Sequence, residues 1–253
     1  MSRFAVAAAL VLAAALQIHR IDDPDTWWHL ATGRAIWTTG AVPRVDAFSF
    51  TAAGAPWLNR QWLFELLLYG TWVLAGPSGP ILLAGAGFLV AFAVLAAGAR
   101  RRLPGWATGA LAIATVVLAV ERFTVRPEAA TMAFLATGIY LVDGAVTWRR
   151  ALGLIGLQIV WANCHALSLL GLVPIAAALA GGVLAQRLPR TAGWHPADRR
   201  DRAELHRLTA ALGGGMVAEC LTPFGVQGAL YPLYLLSLIG GQQRVSFTIV
   251  EHR

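Results

Sequence analysis

Long apolar runs, separated by short segments that carry the arginines, are the feature that most constrains this fold. Eight such runs can be read along the chain, at residues 4–18, 62–75, 80–99, 106–120, 129–146, 151–184, 208–221 and 226–239. A helix needs roughly 20 apolar residues to cross the hydrocarbon core of a bilayer. The composition agrees: 57% of the 253 residues are hydrophobic and 13% are charged, whereas soluble domains average about 45–50% and about 25%. The pattern predicts an integral membrane protein.

The net charge of +7 does not indicate nucleic-acid binding. All 20 basic residues are arginines, and they lie in small groups between the apolar runs instead of forming one basic face for a phosphate backbone. Short cytoplasmic loops of membrane proteins hold an excess of Lys and Arg. We therefore expect four groups to face the cytoplasm: Arg3, Arg100–Arg102, Arg149–Arg150 and the six arginines of residues 187–207.

If all four groups are cytoplasmic, an even number of crossings must separate each neighbouring pair. The prediction is an all-α, polytopic membrane helix bundle of about seven transmembrane helices, forming a single membrane domain with a cytoplasmic N-terminus. The predicted spans are residues 4–18, 80–99, 106–120, 129–146, 151–163, 166–185 and 208–221.

Three apolar runs lie between Arg3 and Arg100, but only an even number of them can cross the membrane. We therefore leave the run at 62–75 out of the count of spans. It contains Glu65 and is rich in aromatic residues, which prefer the membrane interface, so we expect it to lie on the outer surface or to re-enter. Residues 19–79 then form a large external loop with short juxtamembrane helices, and residues 222–253 form an external or interfacial tail, although 226–239 is also apolar.

Three smaller patterns also have a structural interpretation. The first run, with Arg3 and Ala13–Ala15, also fits a signal peptide, but no clear small-residue cleavage site precedes a polar start. Cys164 and Cys220 form no CxxC pattern and are predicted to be small buried hydrophobic residues. The Gly85-Ala86-Gly87 string lies within an apolar run and is typical of close helix packing.

The segment after the first run has the chemistry of a helix start. Asp23 suits the N-cap, Pro24 suits the first helical position and Asp25 lies in the first turn, where the helix dipole favours a carboxylate. Gly33 suits the end of this short helix. Spacing of four residues places Asp25 and His29 on one face. Without any functional role, Asp23 could be only a helix cap and Asp25 only a partner of the helix dipole. However, three acids within four residues exceed what one cap needs.

Other polar residues in the predicted external segments are weaker candidates for binding. Arg34, Arg44 and Arg60 could hold a phosphate, because guanidinium is a bidentate phosphate donor, or could simply be solvated. Ionisable residues near a bilayer core are often functional, which draws attention to the candidates Glu121, Arg126, Glu128 and, at the next turn, His165. A lone histidine in a turn is also compatible with ordinary hydrogen bonding.

Several motifs, taken in order, resemble one family. They are Asp23-Pro24-Asp25-Thr26-Trp27-Trp28-His29-Leu30-Ala31-Thr32-Gly33-Arg34, Gly40-Ala41-Val42-Pro43 with Asp46, Pro56-Trp57-Leu58-Asn59-Arg60-Gln61-Trp62-Leu63, Arg126-Pro127-Glu128, Trp161-Ala162-Asn163-Cys164-His165 and Leu221-Thr222-Pro223-Phe224-Gly225. The chain resembles bacterial multi-pass proteins related to polyprenyl-phosphate-sugar-dependent glycosyltransferases of the GT-C type. The first motif is the most specific. The pattern departs from the family at Cys164-His165-Ala166, where Leu-His-Gly is expected, and at Arg60-Gln61, where an acid is expected.

The resemblance implies inverting transfer of a sugar from a polyprenyl-phosphate-linked donor on the outer face of the bacterial plasma (inner) membrane. It makes Asp25, with Asp23 as the second candidate, the acid that activates the acceptor. His29, Arg34, Arg60, Arg126, Glu128 and His165 are then expected to bind substrate. Some members bind metal in the second external loop, where Glu121 and Glu128 are the nearest matches, so a divalent metal is compatible but no metal ligand is assigned.

Family members continue with further helices, so the resemblance also implies that this chain corresponds to the N-terminal portion of such a protein. The alternative is therefore a truncated, non-catalytic multi-pass membrane protein, or a subunit that another membrane chain completes. A transporter is a weaker reading, because the predicted spans hold almost no charge to bind or relay an ion.

Overall fold

The computed structural model describes residues 2–187 and 200–241 of the chain. Over these residues it is helical, apart from loops and one isolated antiparallel bridge between Val45 and Pro56. The α-helices in these ranges are α1 (Ser2–Gln17), α2 (Asp25–Thr39), α3 (Trp62–Ala75), α4 (Ser78–Ala99), α5 (Gly105–Ala119), α6 (Glu128–Val142), α7 (Trp148–Cys164), α8 (Leu172–Arg187), α9 (Arg202–Ala218) and α10 (Gly225–Gly241). Short 3-10 helices follow α5 at Val120–Arg122 and precede α8 at Ala166–Gly171. The predicted all-α class is confirmed for this part of the chain.

Three helical segments among the described residues are long and apolar enough to cross a membrane. They are Ser78–Ala99, Gly105–Arg122 and Ala166–Arg187. The apolar helices Phe4–Gln17, Trp62–Ala75 and Glu128–Val142 are shorter. These segments support the membrane class, and the count of seven spans stays a prediction.

Most helix positions agree with the apolar runs. The predicted turn near residues 161–165 is confirmed: α7 ends at Cys164, and His165 is extended with φ −160° and ψ 144° before the next 3-10 helix begins. Both cysteines are free, with Cys164 buried and Cys220 half-buried. The predicted external tail contains α10, while residues 242–253, like residues 188–199 of the arginine-rich loop, lie outside the described ranges.

Two hydrophobic clusters hold the helices together. The first packs aromatic and aliphatic side chains of α1, α3, α4 and α5 around the segment before α6, and it includes Phe64, Phe88, Phe92, Val116 and Phe123. The second joins α6, α7, α8 and α9 through Val142, Leu154, Ile175 and Leu208. The residues between α5 and α6 therefore lie against the core instead of projecting away from it.

Small residues let the backbones approach closely, as the glycine string predicts. A Cβ on Gly87 would lie 2.7 Å from the Ala129 carbonyl oxygen, at the contact of α4 with α6. A Cβ on Gly85 would lie 2.9 Å from Cγ of Gln17 in α1. Any larger side chain would force these helices apart.

The prediction that Gly33 ends the first juxtamembrane helix is wrong. Helix α2 continues to Thr39 and ends at Gly40, which is left-handed with φ 67° and donates its N–H to the Ile36 carbonyl at 2.8 Å. Gly33 instead lies where α2 crosses α3, and a Cβ there would be 2.0 Å from the Glu65 carbonyl oxygen. The glycine is needed for close packing, which sequence alone cannot distinguish from a helix stop.

Candidate functional site

Arg126 joins two acidic residues that precede and begin α2. Its Nε and Nη2 both donate to the Asp23 carboxylate, with Nη2 2.7 Å from Oδ1, and Nη2 also lies 2.9 Å from Oδ2 of Asp25. The Asp25 backbone N–H donates to Oδ1 of Asp23 at 3.0 Å. Pro24, not Asp23 as predicted, occupies the N-cap position of α2. Asp23 still accepts the Asp25 N–H, and it also forms an ion pair with a segment 103 residues away in the chain.

The two carboxylates differ in their access to solvent. The Asp23 side chain is 10% exposed, whereas that of Asp25 is 46% exposed. Asp23 has several hydrogen bonds to satisfy its oxygens, while Asp25 has only its contact with Arg126 among the described residues. Asp25 is therefore the carboxylate that a solute could reach.

An open cavity of about 730 Å³ lies beside this ion-pair cluster. Its wall combines residues from before α2, from the segment between α5 and α6, and from α4 and α6. These are Asp22, Asp23, Pro24, Phe88, Glu121, Arg122, Thr124, Arg126, Glu128 and Met132. Asp25 is not a wall residue, but it pairs with Arg126, which is one. We call this space the acidic cavity.

The electrostatics of the acidic cavity favour polyols or cations over free anions. Its wall contains four acidic and two basic side chains. The hydrogen bond with Asp23 raises the pKa of Arg126 above its ordinary value, and the charges of Asp25 and Glu128 act in the same direction against the effect of burial. Arg126 is thus a fixed cation whose charge Asp23 and Asp25 balance.

Arg122 is the cation in the cavity wall that remains open to a ligand. It is exposed and makes no ion pair or side-chain hydrogen bond within residues 2–187 and 200–241. Arg122 is not among the site residues predicted from the sequence, because no local pattern shows that Arg126 is already paired with Asp23 and Asp25.

Glu128, at the first position of α6, has one carboxylate oxygen buried without a partner. This oxygen, Oε2, makes no hydrogen bond to the described residues, although the residue lines the acidic cavity. A carboxylate oxygen with no donor inside a protein is costly, so a bound group that donates a hydrogen bond would relieve it.

His165 lies in a buried polar layer near Glu128. Its Nδ1 is 2.7 Å from the Thr131 hydroxyl, which in turn accepts the indole N–H of Trp161 at 3.0 Å. Burial lowers the pKa of His165, and the charge of Glu128 partly opposes this while those of His29 and Arg60 add to it. The imidazole is therefore a neutral, hydrogen-bonded group near pH 7.

His29 is also buried, behind the exposed part of α2. Its Nδ1 lies 2.9 Å from Oε1 of Glu65, whose other oxygen accepts from the Asn59 amide at 2.5 Å. The Trp28 ring lies against the imidazole, with a centroid separation of 3.7 Å. Glu65, which counts against a span at residues 62–75, is thus a paired acid, and an ionisable residue within an apolar run indicates such a partner.

Arg60 occupies a buried ion pair instead of the cavity wall. Its Nη2 lies 2.8 Å from Oε2 of Glu219 and 2.9 Å from Oγ of Ser168, and its Nη1 donates to the Gly228 carbonyl. Gln158 donates to the other oxygen of Glu219 at 2.5 Å. The Arg60 side chain is 1% exposed, which disfavours the predicted phosphate contact. Glu219, Ser168 and Gln158 were not predicted to act together.

Arg34 lies on a different surface from the acidic cavity. It is exposed and lines a groove of about 650 Å³ with the aromatic side chains of Trp27, Phe48, Tyr69 and Trp72. Of the predicted site residues, the structure thus brings together Asp23, Asp25, Arg126 and Glu128. It places His29 and His165 in the buried layer and keeps Arg34 and Arg60 apart from the cavity.

Neither the acidic cavity nor the rest of the described chain contains a group of three or more His, Cys, Asp or Glu side chains that could hold a metal ion. Comparison with protein-family models gives no match. Comparisons with curated proteins and with solved structures give none either.

Proposed function

We propose that this chain is a bacterial inner-membrane protein that transfers a sugar from a polyprenyl-phosphate-linked donor to an acceptor on the outer face. The observation that carries the proposal is that Asp23, Arg126 and Glu128 line one open cavity, and that the half-exposed Asp25 pairs with Arg126 beside it. These residues come from two motifs on which the family resemblance rests. The seven-span topology with a cytoplasmic N-terminus belongs to the same proposal, because it puts both motifs on the outer side.

In this proposal Asp25 is the acceptor-activating carboxylate. An exposed carboxylate can accept the proton of a sugar hydroxyl as that hydroxyl attacks the anomeric carbon, and the lipid phosphate leaves with the bonding electrons. Arg126 holds Asp25 in position, and Asp23 holds Arg126. The buried oxygen of Glu128 would accept a hydroxyl hydrogen bond from the bound sugar.

Arg122 is the proposed partner of the leaving phosphate. Arg126 is balanced by two carboxylates, so it offers little net attraction to an anion. Arg122 is exposed at the cavity wall, and a guanidinium can donate two parallel hydrogen bonds to a phosphate.

The proposal is tested by sugar transfer in membranes that contain the Asp25→Asn variant. Lipid-linked mannose, glucose and arabinose donors with a radioactive sugar would be supplied to membranes with the wild-type chain or the variant. Loss of a catalytic base typically lowers the rate about 10²–10⁴-fold, and this is the expected result for Asp25→Asn. Unchanged transfer would show that Asp25 is not the base.

The matched control is Asp46→Asn in the loop before α3. Asp46 is half-buried and does not line the acidic cavity, and its carboxylate accepts the backbone N–H groups of Phe48 and Ser49 at 2.8 Å each, which an asparagine oxygen can also do. We expect this variant to retain transfer. An equal loss in both variants would point to damage to the outer loop instead of loss of the base.

The alternative is a non-catalytic membrane protein, or a subunit that works with another membrane chain. One observation favours it: the ion pairs of Arg126 with Asp23 and Asp25 already form a complete structural link between two segments. If no lipid-linked sugar is consumed by the purified wild-type chain, alone or with a co-purified membrane protein, the alternative is preferred.

A further inference from the structure

Five arginines converge on the end of α6, opposite to the end that borders the acidic cavity. Four of them donate to backbone carbonyls of residues 141–146: Arg101 to Asp143 at 3.1 Å, Arg150 to Asp143 at 3.2 Å, Arg200 to Val142 at 2.6 Å, and Arg207 to Val146 at 3.1 Å. The fifth, Arg102, pairs with the Asp143 carboxylate. Among the described residues, Asp143 and Glu204 are the acids in contact with this cluster, so the arginines outnumber the acids there.

Arg102 is the member of this cluster with donors to spare. Its side chain is 73% exposed, and its contact among the described residues is Asp143. A guanidinium has five N–H donors in a fixed fork, so Arg102 can hold an additional anion while it keeps this ion pair. Arg101, whose guanidinium stacks 4.0 Å above the Tyr140 ring, adds positive charge close by.

An apolar groove of about 500 Å³ leads away from Arg102 and Arg200. It lies between the C-terminal halves of α4 and α6 and the first turns of α8. Its apolar wall includes Leu95, Gly98, Ile139, Pro174 and Ala177. Leu95 is 42% exposed and Ile139 is 43% exposed, so within residues 2–187 and 200–241 no side chain covers this surface fully.

The position of the groove suggests that its occupant is amphiphilic. Helix α4 and the segment Ala166–Arg187, which form two of its walls, are both long and apolar enough to cross a membrane. An acyl chain can therefore enter the groove from the bilayer, while its headgroup meets the arginines at the end predicted to be cytoplasmic. Basic pockets between transmembrane helices on that side bind anionic headgroups.

We propose that the groove between α4, α6 and α8 is a binding site for an anionic glycerophospholipid. The acyl chain lies against Leu95, Ile139 and Ala177, and the headgroup phosphate accepts hydrogen bonds from Arg102. This site is separate from the acidic cavity and does not depend on sugar transfer. It would anchor the arginine end of the bundle in a membrane with anionic lipid.

The test measures lipid binding by native mass spectrometry of the full-length chain in detergent after delipidation. The probes are phosphatidylglycerol and phosphatidylcholine with identical acyl chains. We expect phosphatidylglycerol to bind more tightly, and Arg102→Gln to weaken it roughly fivefold, since one arginine near a membrane surface contributes about 1 kcal/mol. Binding of phosphatidylcholine should weaken less, because its choline cation balances the charge of the phosphate. Arg20→Gln, which removes an exposed arginine outside the groove, is the matched control.

A second variant tests the apolar part of the site. Ala177 is exposed and lines the groove, so Ala177→Trp should fill it and weaken the binding of both lipids. The neighbouring Ala176 is also exposed but does not line this groove, so Ala176→Trp should leave binding unchanged. Equal binding of the two lipids to the wild-type chain would overturn the proposal. So would equal effects of the groove and control variants, or displacement of phosphatidylglycerol by soluble glycerol phosphate at similar concentration.

Discussion

Asp23 and Asp25 are two residues apart, yet their surroundings give them different roles. Asp23 is nearly enclosed and accepts hydrogen bonds from Arg126 and from the backbone, whereas Asp25 is about half exposed and has a single ion-pair contact. The difference arises from Arg126, which approaches from the segment before α6. As a result, Asp23 is the acid that stabilises the fold and Asp25 is the acid that solvent can reach.

We predict that Asp23→Asn destabilises the protein and that Asp25→Asn does not. Hydrogen bonds to charged groups contribute about 1.5–3 kcal/mol, while exposed ion pairs contribute about 0–1 kcal/mol. Unfolding by titration with a denaturing detergent should therefore shift clearly for Asp23→Asn and little for Asp25→Asn. Equal shifts would contradict the assignment of separate roles.

At the scale of elements, the crossing of α2 and α3 depends on one small residue. Gly33 lies with its Cα against the Glu65 backbone, and this contact brings His29 of α2 within hydrogen-bond distance of Glu65 of α3. Any side chain at position 33 would separate the helices and remove a partner from a buried acid.

Gly33→Ala is expected to destabilise the protein by about 1–3 kcal/mol, the range for overpacking a close contact. The added Cβ would lie 2.0 Å from the Glu65 carbonyl oxygen, and backbone cannot move aside as a flexible side chain can. Thermal unfolding in detergent, followed by tryptophan fluorescence, measures the change.

Gly156→Ala in α7 is the matched control for this variant. Nothing lies within 4 Å of the Cβ position there, and alanine favours helix over glycine by up to about 1 kcal/mol. We expect unchanged or slightly higher stability. If the two variants behaved alike, the close approach of α2 to α3 would not be the cause.

At the scale of the whole molecule, the Arg60–Glu219 ion pair connects parts of the chain that are distant in sequence. Arg60 precedes α3, and Glu219 follows α9. The network also includes Gln158 of α7, Ser168 of the 3-10 helix before α8 and the Gly228 carbonyl of α10. Several helices therefore share one set of buried polar contacts.

Removal of either charge should destabilise the protein by about 3–5 kcal/mol, because the remaining charge is left buried without a partner. We predict this for Arg60→Gln and for Glu219→Gln, measured by denaturing-detergent titration. The double variant should lose much less than the sum of the two single effects, as expected for residues in one network. Additive losses would show that the two residues do not stabilise each other.

The elements were more predictable than the site. Helix type and position follow from apolar length and local residue chemistry, so the runs at 62–75 and 80–99 and the turn at His165 agree with α3, α4 and the end of α7. The end of α2 was predicted wrongly, because Gly33 does not stop the helix. It allows close contact with the backbone of Glu65 in α3, which is distant in the sequence.

The amino-acid sequence is enough to predict a helical chain with apolar segments long enough to cross a membrane, and to select Asp23, Asp25, Arg126 and Glu128 as candidate site residues. Apolar length and helix-start chemistry act over a few residues, so they can be read along the chain. The pairing of Arg126 with both acids, the ion pair of Arg60 with Glu219, and the exposure of Arg122 without a partner among the described residues become visible in the folded chain. Those pairings depend on how helices pack across more than a hundred residues, which no local pattern specifies.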